Sequence, residues 1–232
     1  MSSAQQKTAQ ILAQSNPKAA TSLKQYQTSA QKFKTMPDVA RWIHAKMISN
    51  PETVEGRTIK ITNDLIDSFV QDPSKQILIP SLIGASFGLW ANRVDRLKPW
   101  DYKNHIYPNG IKNSPLWAYD IVSKLYYRRD LWGNLHYGFV GRAVGFSKQT
   151  LRQGGGAAQL LSNLLTGRTG NILDGIDRLF SDFDAFASFD PPDDLSTVEV
   201  GIDLFDRYGV SLSQSQFIGL IRRQSNKLPT KK

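Results

Sequence analysis

Asp130-Leu131-Trp132-Gly133-Asn134-Leu135-His136-Tyr137-Gly138-Phe139-Val140-Gly141-Arg142 is the stretch on which the fold turns. A carboxylate, an amide, an imidazole, a phenol and a guanidinium stand within thirteen positions, among three glycines. The imidazole is one of only three histidines in 232 residues. Burying such groups among bulky aromatics is unfavourable unless each is paired. A site that moves protons or grips an anion uses them. Two geometries are open. On one continuous helix, Asp130 and His136 lie about 240° apart, at about 100° per residue, and share no face. If Gly133 breaks the helix, they can meet across the turn, and a carboxylate that orients an imidazole is the usual arrangement of a general base. Asn134 and Arg142 would then bind a developing oxyanion or a phosphate. The competing reading makes His136 and Tyr137 core-edge residues with hydrogen-bonded tips, and the glycines spacers for tight helix packing.

Upstream, Ser114-Pro115 predicts a helix start, a cap followed by proline at the first position. Leu116, Tyr119, Ile121, Val122, Leu125 and Tyr126 would cover its apolar side as it runs toward Trp132 and ends near Gly133. Before it, Trp100-Asp101-Tyr102-Lys103-Asn104-His105 reads as a loop and Tyr107-Pro108-Asn109-Gly110 as a turn. Asp101 is a second acid in that loop. Pro37 opens a helix with Val39, Ala40, Ile43 and Met47 at helical spacing, and His44 on it reads as a satisfied, half-buried histidine. Asn63 caps a short helix through Phe69, and Pro80 opens one reaching about Leu97. The most apolar run, Ile77 to Ala91, is shorter than the roughly 20 residues a bilayer needs and reads as a buried helix.

Downstream, Ser147 caps a helix loosened at Gly154-Gly155-Gly156. Asp174 to Asp194 is acidic and aromatic, either a solvated loop or a carboxylate site for Mg or Ca, with Asp190 and Asp193 as candidate ligands. Ser196-Thr197-Val198-Glu199 and Ser213-Gln214-Ser215-Gln216 both have the form of a capping box, and Gly209 suits the stop between the two helices. Only Thr58 to Ile61 alternates like a strand. The expectation is a mainly α, single compact multi-helix domain over 36–224. A polar, partly disordered extension precedes it over 1–35, and a basic, frayed tail follows over 225–232.

The chain has no cysteine, which excludes disulfides, thiolate metal sites and cysteine nucleophiles. The net charge is +9, from 12 basic and 7 acidic residues before Lys98 and 17 and 13 from Lys98 onward, so the excess is spread and not confined to one arm. Two readings are open: a basic, solvated surface with no specific partner, or a polyanionic partner, which would be nucleic acid, an anionic membrane surface or a pyrophosphate-bearing substrate. Residues 1–34 lack the apolar core of a cleavable signal peptide.

Four blocks resemble the polymorphic toxin type 44 family (bacterial toxin 44). They are Asp38-Val39-Ala40-Arg41-Trp42 with Met47 and Asn50; Lys98-Pro99-Trp100-Asp101-Tyr102-Lys103; Tyr126 through Phe146; and Asp190-Pro191-Pro192-Asp193-Asp194 running into Val200-Gly201-Ile202-Asp203-Leu204-Phe205. Order and spacing fit across 38 to about 222. Arg129 stands where the family usually has a tyrosine before the aspartate. The resemblance implies a toxin domain of the kind found at the C-termini of secreted polymorphic toxins, including type VI and Rhs-type effectors. It also implies export without a cleavable signal, delivery into a target cell by a carrier or adaptor, and a cognate immunity protein. The polar positions shared with its motifs are Asp101, Asp130, Asn134, His136, Tyr137, Arg142, Asp190 and Asp193.

Three functions compete. In a metal-independent nuclease acting on RNA, His136, Asp130, Asp101 and Tyr137 are the catalytic candidates, and Arg142, Asn134, Lys103 and Trp100 bind substrate. Asp130, five residues and then His136 is also similar to the colicin M group of lipid-linked pyrophosphate hydrolases. There Mg or Ca would sit on Asp101, Asp130 or the Asp190 cluster, although Tyr137 stands in place of the arginine expected after the histidine and Tyr127 in place of the upstream aspartate. The third is a non-catalytic helical module that permeabilises membranes or binds a partner.

Overall fold

The structure, a computed structural model, describes residues 33, 35–95, 98–106, 117–152 and 192–232. Helix α1 (Met36–Ser49) starts at Thr35, whose backbone N–H and hydroxyl both donate to the Asp38 carboxylate, with Pro37 in the first turn. Met36, Val39, Ala40, Ile43 and Met47 form its buried stripe. His44 is buried and bonds the Leu212 carbonyl through Nε2 at 2.7 Å, a satisfied core histidine.

Helix α2 (Val54–Val70) is capped by Thr53, which accepts from the Gly56 N–H. It absorbs the expected strand at Thr58 to Ile61. The Thr58 and Thr62 hydroxyls donate back to the carbonyls four residues earlier, and Gly56, Ile59 and Asn63 are buried about one turn apart. Asn63 is no cap but a mid-helix bridge. Its Nδ2 donates to the Val144 carbonyl, and its Oδ1 accepts from Ser86 in helix α3 (Ile79–Val94).

Helix α3 packs on α2 around Ile79, Ile83, Ile66, Phe69 and Phe87. It is not the short buried helix expected. The helical stretch Gln76–Val94 has 19 residues and is long and apolar enough to cross a membrane, with 22% of it buried. Ile77 and Leu78 at its start are exposed. Only one face, with Ile79, Ile83, Ser86 and Trp90, turns inward. The expected loop after Lys98 contains a short helix, α4 (Tyr102–Ile106).

The helix expected from Ser114 is instead an antiparallel hairpin where it is described. Strand β1 (Trp117–Asp120) pairs with β2 (Leu125–Arg128), with Trp117 opposite Arg128 and Asp120 opposite Leu125. Ser114 and Pro115 lie outside the described residues, as does the Tyr107–Gly110 turn. The turn is fixed by Asp120, which accepts from the Ser123 N–H and hydroxyl, and by Lys124 at φ +56°. Fully buried Asp120 also takes both arms of Arg222 at 2.9 Å. Burial alone would raise its pKa, but Arg222 and Ser123 outweigh it and hold the carboxyl near 2. Ile121 and Val122, counted as a helix's apolar side, are exposed at the turn.

Helix α5 (Asp130–Ala143) is the centre of the fold and is buried nearly all round. It crosses α7 (Pro192–Tyr208) at a contact of backbone on backbone. A Cβ on Gly138 would run into the Val198 carbonyl oxygen, and one on Gly201 into that of Leu135. Helix α6 (Lys148–Arg152) follows with Ser147 as its cap. The expected capping box at Ser196 is not a helix start, because α7 begins at Pro192. Ser196 donates to the Lys227 carbonyl, Thr197 is buried and Glu199 pairs with Arg152.

The second expected box is present. Ser213 and Gln216 cap each other at the start of α8 (Gln214–Arg223), and Gly209 at φ +54° ends the preceding helical run. The tail does not fray. Strand β3 (Thr230–Lys231) pairs with Tyr126 and Tyr127 of β2, and Leu228 is buried. The described fold is therefore mainly α with one three-stranded sheet, order β1-β2-β3.

Candidate functional site

His136 lies on α5 and is 1% exposed. Its Nε2 is 2.8 Å from Nδ2 of Asn50, the first residue of a 3-10 turn (Asn50–Glu52) that follows α1. The same Asn50 Nδ2 donates to the Tyr102 hydroxyl at 2.8 Å. Tyr102, on α4, stands edge-on to the imidazole with centroids 4.6 Å apart, and Trp100 closes another side at 6.1 Å. Burial first, and the Lys46 ammonium second, pull the His136 pKa from 6.5 to about 3, so the ring is neutral at physiological pH. Burial raises the Tyr102 pKa, so that hydroxyl stays protonated. His136 Nδ1 has no hydrogen-bond partner, and neither does Asn134 Nδ2, in a helix where both side chains are buried.

Because α5 is continuous through Gly133, Asp130 and His136 do not meet, which removes the expected carboxylate–imidazole pair. Asp130 accepts instead from Arg128 Nε at 2.6 Å and from the Leu131 N–H at the helix start, and Arg128 also reaches Asp194. Arg142 is likewise committed. It binds Asp206 on α7 at 3.0 Å, beside Lys148 on the other carboxylate oxygen, and donates to the Phe146 carbonyl. Both residues secure the ends of α5.

The glycines of the central stretch work as spacers. Gly133 faces the stem of Lys103, Gly138 faces α7 and Gly141 faces Leu151. Tyr137 is half-buried, its ring 5.3 Å from Trp90. Asp101 is half-buried in the turn before α4, its N–H on the Lys98 carbonyl. Of the sequence candidates, His136, Trp100 and Lys103 meet where α4 packs on α5. Asp130 and Arg142 sit elsewhere on that helix. The Asp190 residue, the Asp193 side chain and the triple glycine lie outside the described residues. No group of three His, Cys, Asp or Glu side chains among the described residues is placed to hold a metal ion.

Asn50 and Tyr102 were not among the candidates. Their signal was present nonetheless, because both fall in the blocks that carry the resemblance. Asn50 comes from the first, Tyr102 from the second and His136 from the third, and the fold joins the three. A family model described as bacterial toxin 44 matches residues 89–207, half of the chain. The chain belongs to the bacterial toxin 44 family. It is thus a toxin domain, and the matched span contains α4, the hairpin, α5 and most of α7. No curated protein and no solved structure matches this toxin.

Proposed function

We propose that this toxin is a hydrolase that cleaves phosphodiester bonds in RNA, with His136 at the reacting centre. The observation that carries the reading is the buried, neutral His136 imidazole with an unpartnered Nδ1, held by Tyr102, within the span the family model matches, and by Asn50, upstream of it. A core histidine kept only for packing would leave no polar atom buried without a partner, and among the described residues no atom of His44 is so left, its Nε2 being bonded to the Leu212 carbonyl. The net charge of +9 suits a polyanion more than a neutral substrate. Trp100 and Tyr102, on the short segment over 98–106, cover the imidazole, so this reading requires that segment to move aside for substrate. The toxin acts after delivery into a competing cell by a carrier or adaptor, and a cognate immunity protein guards the producer.

Growth of a bacterial host expressing the chain with and without an added export signal tests this, beside His136→Gln. The expected result is growth arrest from cytoplasmic expression, degraded RNA, and loss of both in the variant. Killing only after export would overturn the RNA assignment in favour of a lipid-linked pyrophosphate. A folded His136→Gln chain that still arrests growth would remove His136 from the site.

A further inference from the structure

The described residues leave four buried side-chain nitrogens without a partner: Trp90 Nε1, Trp132 Nε1, Asn134 Nδ2 and His136 Nδ1. Indole and amide nitrogens can only donate. The imidazole nitrogen can do either, and its neighbour decides which. Asn50 Nδ2 is 2.8 Å from both His136 Nε2 and the Tyr102 hydroxyl oxygen. An amide NH2 has two hydrogens and no lone pair to offer, so both contacts are donations from Asn50. Nε2 is therefore bare, and a neutral imidazole with a bare Nε2 carries its proton on Nδ1. All four orphan atoms are then donors. Trp132 stands one helical turn before His136 on the same side of α5. What His136 Nδ1 lacks is an acceptor.

We infer that Asn50 is a positioning residue that fixes His136 as its Nδ1–H tautomer, so that His136 donates a hydrogen bond to an anionic phosphoryl oxygen of the substrate and is not the base. This rests on the assignment of His136 to the reacting centre. A neutral donor aimed at an oxygen that gains charge stabilises the transition state without moving a proton. An imidazolium would need a solvated or paired environment, and the surroundings of His136 are Trp100, Tyr102 and the Asn50 amide, with the Lys46 charge opposing it. The ligand class that fits is acceptor-only, a phosphate-type oxyanion; a cation has nothing to bind there.

Long-range proton–nitrogen correlation spectra of the 15N-labelled full chain at pH 7 read the tautomer directly. Three histidines give three patterns, and His136→Gln identifies the one in question. The expected result is a proton on Nδ1. Asn50→Asp places an acceptor at Nε2, so it moves the proton to Nε2, raises the His136 pKa and abolishes toxicity in a chain that still melts cooperatively. If Asn50→Asp does not fold, Asn50→Ala serves, with both tautomers populated and toxicity reduced at least ten-fold. A wild-type proton on Nε2 overturns the inference and leaves the RNA hydrolase standing. Full toxicity in a folded Asn50 variant whose tautomer has switched overturns it as well. A toxic His136→Gln chain removes the hydrolase reading and the donor role together, and is recognised because the resting tautomer is measured separately.

Discussion

Protonation of His136 is incompatible with its place in the core, and that makes stability depend on pH in a calculable way. The folded-state pKa is about 3, against 6.5 for an exposed imidazole. Between those values the unfolded chain binds a proton that the folded chain refuses. Stability from this residue is therefore complete above pH 6.5 and falls as pH falls toward 3, by at most about 1.4 kcal/mol per pH unit. Integrated from pH 7 to pH 5, the loss is about 2 kcal/mol. The paired carboxylates do not interfere in this window. Asp120, Asp38 and Asp206 all have pKa values lowered from 3.8, so their contributions are lost only at more acid pH. The assay is urea denaturation of wild type and His136→Gln at pH 7 and pH 5. Wild type loses about 2 kcal/mol more than the variant. A difference below about 0.5 kcal/mol would show that the folded chain accepts the proton, and would refute the buried, neutral imidazole.

Two glycines on α5 have opposite tolerances. Gly138→Ala drives a Cβ into the Val198 backbone, and destabilises by about 2–3 kcal/mol despite the helix preference for alanine. Gly133→Ala meets only the flexible stem of Lys103 and changes stability by less than about 1 kcal/mol; thermal melts compare the two. Asp120→Asn strips a charge from a fully buried carboxylate whose Arg222 partner is 28% exposed, and lowers unfolding free energy by about 2 kcal/mol in urea at pH 7. An effect under about 0.5 kcal/mol would mean that the hairpin does not depend on that pair.

Elements with local causes were legible in the sequence. Pro37 with Asp38 sets the start of α1, Ser213 with Gln216 sets that of α8, and Gly209 provides the stop, because each acts within four residues of itself. The hairpin was not legible. Leu116, Tyr119, Ile121, Val122, Leu125 and Tyr126 satisfy a helical spacing, and the Asp120 carboxylate at the hairpin's turn is held by Arg222, 102 positions away. The box at Ser196 failed for a related reason: its polar atoms answer Lys227 and Arg152, not their own helix. At the site, His136 stood out by rarity and by its polar neighbours. Asn50 did not, since an asparagine at the end of a helix reads as a local cap, and its partner is 86 positions on. Asp130 and Arg142 drew attention as charges near a histidine, yet a continuous helix turns them toward other elements.

The crossing of α5 with α7 also sets the order in which this molecule can assemble. The ion pairs that flank it join residues 64 and 66 positions apart, and the imidazole's own bond spans 86. Closures of that length are entropically slow, whereas the α2–α3 pair is local and can form early. Helix α5, buried on nearly every side, depends on its neighbours for most of its stability. The arrangement around His136 therefore forms only with that long-range closure. A chain in which that closure has not formed lacks the contact of Asn50 with His136 and Tyr102.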